Sequence, residues 1–174
     1  MWVPSEDVSA ALEIEGGEPA SRMHLTVAYI PGAEPDAVAA AVRGVLAGVE
    51  PLEGHVSGLG IWETGDDGTC AVALVDVPGL SALRADVVRA LAEAGIPASD
   101  LHDFTPHVTL AFVREDSPGV RLGVPPALKV VVSELAVVGT DSGDELDVRE
   151  TIPLGAPSVP EDKHASVRVG PVLK

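Results

Sequence analysis

The amino-acid sequence predicts a soluble α/β protein built as one folding unit, and three observations carry that prediction. Apolar residues make up 46% of the chain, in runs of Val, Leu and Ala that Gly, Pro and acidic residues interrupt at short intervals, the patterning of a protein that mixes helices and strands. Two stretches repeat their apolar residues at helical spacing. Several others are short β-prone runs bounded by turn formers. At 174 residues the chain is long enough for one domain with a sizeable core, or for two small lobes that share one.

Val8 to Ile14 reads as a weak strand; after a turn at Gly16-Gly17, a stronger strand runs from about Arg22 to Ile30 and ends at Pro31-Gly32. From about Pro35 to Gly48, Val38, Val42, Val45, Leu46 and Val49 recur at helical spacing and predict an amphipathic helix. Strands near Leu52 to Glu63 and Thr69 to Val77 are joined as a hairpin by Gly65-Asp66-Asp67-Gly68. A second helix is expected from about Leu80 to Ala94. Leu80, Leu83, Val87, Val88 and Leu91 form its apolar face, Arg84, Asp86, Arg89 and Glu93 its polar one, and Gly95 stops it. Three strands follow, at about Thr105 to Arg114, Leu128 to Val138 and Leu146 to Leu154. Each half thus contributes one helix and several strands, a loose internal duplication. Residues 1–155 are expected to form the single domain. Residues 156–174, rich in Pro, Ser, Glu and Lys without periodicity, read as a tail, a linker or an edge-pairing arm.

Composition narrows the function classes. No stretch approaches the roughly 20 uninterrupted apolar residues that cross a bilayer, and Met1 to Asp7 place no basic residue ahead of an apolar run. A cytoplasmic protein with no membrane partner is expected. Cys70 is the sole cysteine, which rules out an intrachain disulfide, and its apolar run Cys70-Ala71-Val72-Ala73-Leu74 suits a buried structural thiol better than a zinc ligand. The formal charge of −16 repels polyanions and argues against a long nucleic acid as partner. A small nucleotide or short oligonucleotide is easier to hold, because a few donors in a cleft outweigh a surface screened over roughly 8 Å at physiological salt.

Two places share one local pattern, His24-Leu25-Thr26 and His107-Val108-Thr109, each followed by an apolar residue and Ala. In a strand, side chains at i and i+2 point to the same face, so each triplet would present an imidazole beside a hydroxyl. By composition one His-x-Thr triplet arises by chance in roughly one chain in five, two in about one in fifty. Two copies in β-prone runs, at corresponding places in the two halves, carry more weight than either alone.

The segments Met23-His24-Leu25-Thr26-Val27 and Phe104-Thr105-Pro106-His107-Val108-Thr109-Leu110-Ala111 resemble the two-histidine (2H) phosphoesterases, a family that includes bacterial 2′-5′ RNA ligase-like proteins and cyclic phosphodiesterases. The likeness extends to the helix before the second segment and to the closing Thr151-Ile152-Pro153-Leu154, so it spans most of residues 8–155. It implies a two-lobed α+β fold with pseudo-twofold symmetry, antiparallel-rich sheets around a central cleft and helices outside. It also implies His24 and His107 as a catalytic pair and Thr26 and Thr109 as ligands of the non-bridging phosphate oxygens. Family members that act on RNA often carry extra basic residues near the cleft, and here these are sparse.

That chemistry needs neither metal nor cofactor. In-line cleavage of a phosphodiester takes a base for the incoming hydroxyl and an acid for the leaving oxygen, and histidine, with an ordinary pKa of about 6.5, serves as either near neutral pH. The threonine hydroxyls would hold the equatorial oxygens. Arg22 shares parity with His24 and is a candidate for phosphate binding if the strand starts that early, with a solvent-facing role as the competing reading; Arg114 lies on the wrong parity. Phe104 and Trp62 are candidates for stacking on a base, against core or rim packing. His55, His102 and His164 lack a partner motif, and the acidic clusters Asp66-Asp67 and Asp141 to Asp147 lack the spacing of a calcium loop. The expected activity is hydrolysis of a small ribose-linked phosphodiester: a 2′,3′-cyclic phosphate, a 2′-5′ linkage or a cyclic (oligo)nucleotide. Viral relatives that degrade cyclic oligonucleotide immune signals would place such a chain in a host cytoplasm. The alternatives are RNA end processing or 2′-5′ ligation, and a module that only sequesters a nucleotide.

Overall fold

The computed structural model describes residues 1–63, 68–100, 103–113, 127–139 and 145–155. Its first element corrects the sequence expectation: Glu6–Leu12 form a helix, α1, where a weak strand was expected. Ser5 precedes it in extended backbone, Glu6 and Asp7 stand in the first turn, and acidic side chains there favour the positive end of the helix dipole. Ser9 and Leu12, three apart, are its buried residues, which is helical rather than strand periodicity.

The expected strand at Arg22 to Ile30 is also absent as a regular ladder. Ala20–Arg22 make a single 3-10 turn, and the extended chain after it forms one bridge, Leu25 with Trp2. The alternation nonetheless holds: Met23, Leu25 and Val27 are buried while His24, Thr26 and Ala28 are half-buried. Helix α2, Pro35–Ala47, buries Val38, Ala39, Val42 and Leu46. Helix α3, Leu80–Glu93, buries Leu80, Leu83, Val87 and Leu91, as its periodicity predicts. Gly95 follows with φ 76°, the left-handed conformation that ends a helix and favours glycine. The two helices pack on each other, and α2 packs on the second of two sheets.

The first sheet is antiparallel throughout, in the order β3 (His107–Val113), β2 (Thr69–Asp76), β1 (Leu52–Glu63), β4 (Lys129–Val132). The expected hairpin is the β1–β2 pair; residues 64–67 of its turn lie outside the described residues. The second sheet pairs β5 (Glu134–Val138) with β6 (Val148–Pro153). The apolar run from 128 to 138, expected as one strand, is therefore two: it changes sheets at Ser133, whose carbonyl accepts a hydrogen bond from Leu154 N–H at 2.8 Å.

Met1 and Trp2 widen the second sheet. The Met1 amine and carbonyl bond to Ala136 of β5, both at 2.7 Å, and Trp2 exchanges both backbone bonds with Leu25, at 2.9 and 2.8 Å. The sequence of ribbons is then Leu25, Met1-Trp2, β5, β6. Each sheet has a His-x-Thr segment on its edge ribbon, and these are the two lobes of the α+β fold. Trp2, only 3% exposed, stitches the lobes together through an Nε1–H bond to Val131 on β4 at 3.1 Å. The core joins both sheets to α2 and α3 through Leu25, Leu46, Leu91, Val108, Val130 and Ile152.

Candidate active site

In β3, Val108 and Leu110 are buried, 0% and 2% exposed, while His107 and Thr109 between them are half-buried. The same alternation around His24 and Thr26 presents a second imidazole and hydroxyl side by side. The two histidines are held alike. His24 Nδ1 lies 2.8 Å from the Arg22 carbonyl oxygen, and His107 Nδ1 lies 2.7 Å from that of Thr105. A carbonyl only accepts, so in both rings Nδ1 carries the proton and Nε2 is left as the nitrogen for other work. The same bond to the carbonyl two residues upstream thus fixes the same tautomer twice.

A chain of short contacts ties the two segments together. Glu18 N–H donates to the Leu110 carbonyl, next to Thr109, at 2.7 Å; the Glu18 carboxylate meets Arg22 Nε at 3.4 Å; and the Arg22 carbonyl holds His24. The approach to β3 requires Gly17, where a Cβ would collide with the Leu110 carbonyl oxygen. Arg22 therefore engages Glu18 at the end of a turn, and the strand parity that made it a phosphate-binding candidate does not apply.

Register defines what surrounds His107. Rows across the first sheet run His107–Leu74–Gly58, Thr109–Val72–Gly60 and Phe112–Cys70–Trp62, all on one face. The Trp62 and His107 rings meet edge-to-face, with centroids 4.5 Å apart and planes at 73°. Cys70 is buried and unpaired, as its apolar run implies; burial pushes its thiol pKa up, against the smaller effect of a hydrogen bond to the Trp62 backbone. Phe104 is half-buried against the core, and the Arg84 guanidinium sits 4.9 Å above its ring centre. Arg84, expected on the solvent face of α3, is drawn inward by that ring, and its Nε is buried.

On the other side, His24 and Thr26 open onto a cavity of about 830 Å³, whose lining also includes Tyr29, Val38, Leu135 and Arg149. Two exposed aromatics were missed from sequence, Tyr29 (62%) and Phe112 (54%). Strict alternation puts Phe112 opposite His107; a register shift between Ala71 and Val72 brings it to the same face. His55 is exposed on β1, opposite Asp76 and Lys129. Arg114, His102, His164, Asp66, Asp67, Asp141 and the 156–174 segment lie outside the described residues. Among the described residues no helix is long and apolar enough to cross a membrane, and no group of three or more His, Cys, Asp or Glu converges as a metal site. The arrangement offers two imidazoles that can exchange a proton at Nε2 and two hydroxyls that can donate hydrogen bonds.

No curated protein sequence matches the chain. Among solved structures, TT0787 of Thermus thermophilus shares the fold at a TM-score of 0.71 and 22% identity, over 89% of this chain and 96% of its own. A protein described as a phosphoesterase superposes at 0.65 and 19% identity, over 88% and 94%. E. coli LigT complexed with NADP+ superposes at 0.65 and 16% identity, over 88% and 95%. Residues 12–144 match the model of the 2′-5′ RNA ligase superfamily. With that match covering most of the sequence, the chain belongs to the 2′-5′ RNA ligase superfamily, the two-histidine phosphoesterases.

Proposed function

We propose that the protein is a metal-independent phosphodiesterase that hydrolyses small ribose-linked phosphodiesters, with His24 and His107 as its paired base and acid. The observation that carries this reading is the repeated Nδ1–H bond to a backbone carbonyl, which commits both Nε2 atoms to the same kind of proton exchange. One imidazole, neutral, takes a proton from water as its oxygen attacks phosphorus. The other, charged, protonates the ribose oxygen as the P–O bond breaks. Thr26 and Thr109 donate hydrogen bonds to the non-bridging oxygens. The net charge of −16 favours a short or cyclic substrate over a long polyanion. E. coli LigT is complexed with NADP+ in one solved structure and with 3′-AMP in another, which supports an adenine ribonucleotide as the first substrate class to try. With an RNA 5′-hydroxyl in place of water as the nucleophile, the same pair would open a 2′,3′-cyclic phosphate, protonating the 3′-oxygen that leaves, and so form a 2′-5′ linkage, the activity that names the superfamily.

The test is a screen in excess chelator of 2′,3′-cyclic nucleotides, 2′-5′ and 3′-5′ dinucleotides and cyclic di- and trinucleotides, with products read by mass. Turnover of at least one class is expected, with a bell-shaped pH dependence of kcat/KM and a roughly 10²–10⁴-fold loss in His24→Ala or His107→Ala. Activity abolished by chelator, or a flat pH profile, contradicts the reading. Tight binding without turnover by the unaltered protein would make it a sequestering module.

A further inference from the structure

Among the described residues, the one aromatic pair is Trp62 with His107, so only the second motif has an aromatic ring against its imidazole. The residues are two strands apart in the sheet, and Trp62 belongs to a different register row: it stands level with Cys70 and Phe112, whereas His107 stands level with Leu74 and Gly58. To reach His107 the indole must lie back along β1, over the positions where Gly60 and Gly58 face the same side. Both of those rows lack a β1 side chain. A Cβ at Gly60 would stand 3.5 Å from Trp62 Nε1 and 3.2 Å from Val72 Cγ2, while at Gly58 the nearest atom is Leu74 Cδ1 at 3.9 Å. Gly60 is therefore the bed on which the indole rests.

The contact adds a restraint that the hydrogen bond alone does not supply. The Nδ1 bond to the Thr105 carbonyl fixes one point of the His107 ring, and a ring held at one point can still tilt about it. An indole set at 73° to the imidazole blocks that tilt from a second direction. Resting on the two-histidine reading above, we infer that Trp62 is a positioning residue for His107, holding the imidazole so that Nε2 meets the phosphate, rather than a free platform for a nucleobase. Misplacing a proton-transfer group by about 1 Å costs up to about 10²-fold in rate. Removing the indole is expected to lower kcat by about 10- to 100-fold while leaving KM within about twofold.

The experiment uses the full chain with Trp62→Leu, Trp62→Phe and Gly60→Val, the last keeping the indole but crowding its bed. The imidazole proton resonances of His107, assigned by their loss in His107→Gln, report the contact through the ring current of the indole. They are expected to shift in Trp62→Leu and Gly60→Val and to be largely restored in Trp62→Phe, with His24 unmoved in all three. In parallel, kcat and KM are measured on a nucleoside 2′,3′-cyclic phosphate and on ribose 2′,3′-cyclic phosphate, which has no base. The inference predicts the same fall in kcat on both. A rise in KM confined to the base-bearing substrate, with kcat kept, would assign Trp62 to stacking and overturn it. His107 signals unmoved in Trp62→Leu would overturn it whatever the activity. A normal ring-current shift with no turnover of any phosphodiester would instead sink the two-histidine reading and leave the contact standing.

Discussion

The two His-x-Thr segments reach the same presentation of side chains by different means. The second lies in a strand paired with β2 from His107 to Val113 with one bulge after Thr109, and its imidazole meets the Trp62 ring edge-to-face. The first has a single bridge, to a two-residue ribbon at Met1-Trp2, and opens onto a cavity instead of an indole. Burial alternates in both: 1%, 1% and 2% exposure at Met23, Leu25 and Val27, and 0% and 2% at Val108 and Leu110. What presents each imidazole on its face of the fold is the anchoring of its neighbours in the core plus one bond from Nδ1. A full ladder is not required. The first motif should then depend on few anchors and the second on many.

The largest expected effect follows from that dependence. Trp2→Ala removes a side chain that is 3% exposed together with its bond to Val131, and should destabilise the protein by about 3–5 kcal/mol in urea unfolding. In native-state hydrogen exchange, the loss of protection should be greater at Leu25 N–H than at Val108 N–H. A cost below about 1 kcal/mol, or equal deprotection at both sites, would mean that the first ribbon has anchors other than Trp2. A smaller effect probes equivalence at the phosphate. Thr26→Val and Thr109→Val should each lower kcat by about 10²-fold, the cost of one donor to a developing charge. Values that differ by more than about tenfold would show that the two halves do not share the load.

Much of this arrangement was legible in the sequence, and the exceptions have physical causes. The helices α2 and α3 and the β1–β2 hairpin follow from apolar spacing, because those elements bury one face against the core. Helix α1 is not fixed by periodicity, because Val8 to Ile14 is short enough to fit either period; its better signal is Ser5 followed by Glu6 and Asp7. The change of sheet at Ser133 is marked only by the polar pair Ser133-Glu134, short enough to be read within one strand; β4 buries alternate residues, Val130 and Val132, whereas β5 buries the neighbours Leu135 and Ala136. The His-x-Thr pairs were visible because their chemistry is local. Arg84 over Phe104, Trp62 against His107 and Phe112 beside them were not, for each depends on a long-range register or on a bulge.

The central claim is that both imidazoles work on one phosphate. Titrating the protein, labelled with nitrogen-15 in its histidines, with 3′-AMP tests it most directly, with His24→Gln and His107→Gln used for assignment. The account predicts that the Nε2 signals of His24 and His107 move together, along one binding curve, while His55 stays still. Movement of only one of the pair, or of the two with different affinities, would contradict it.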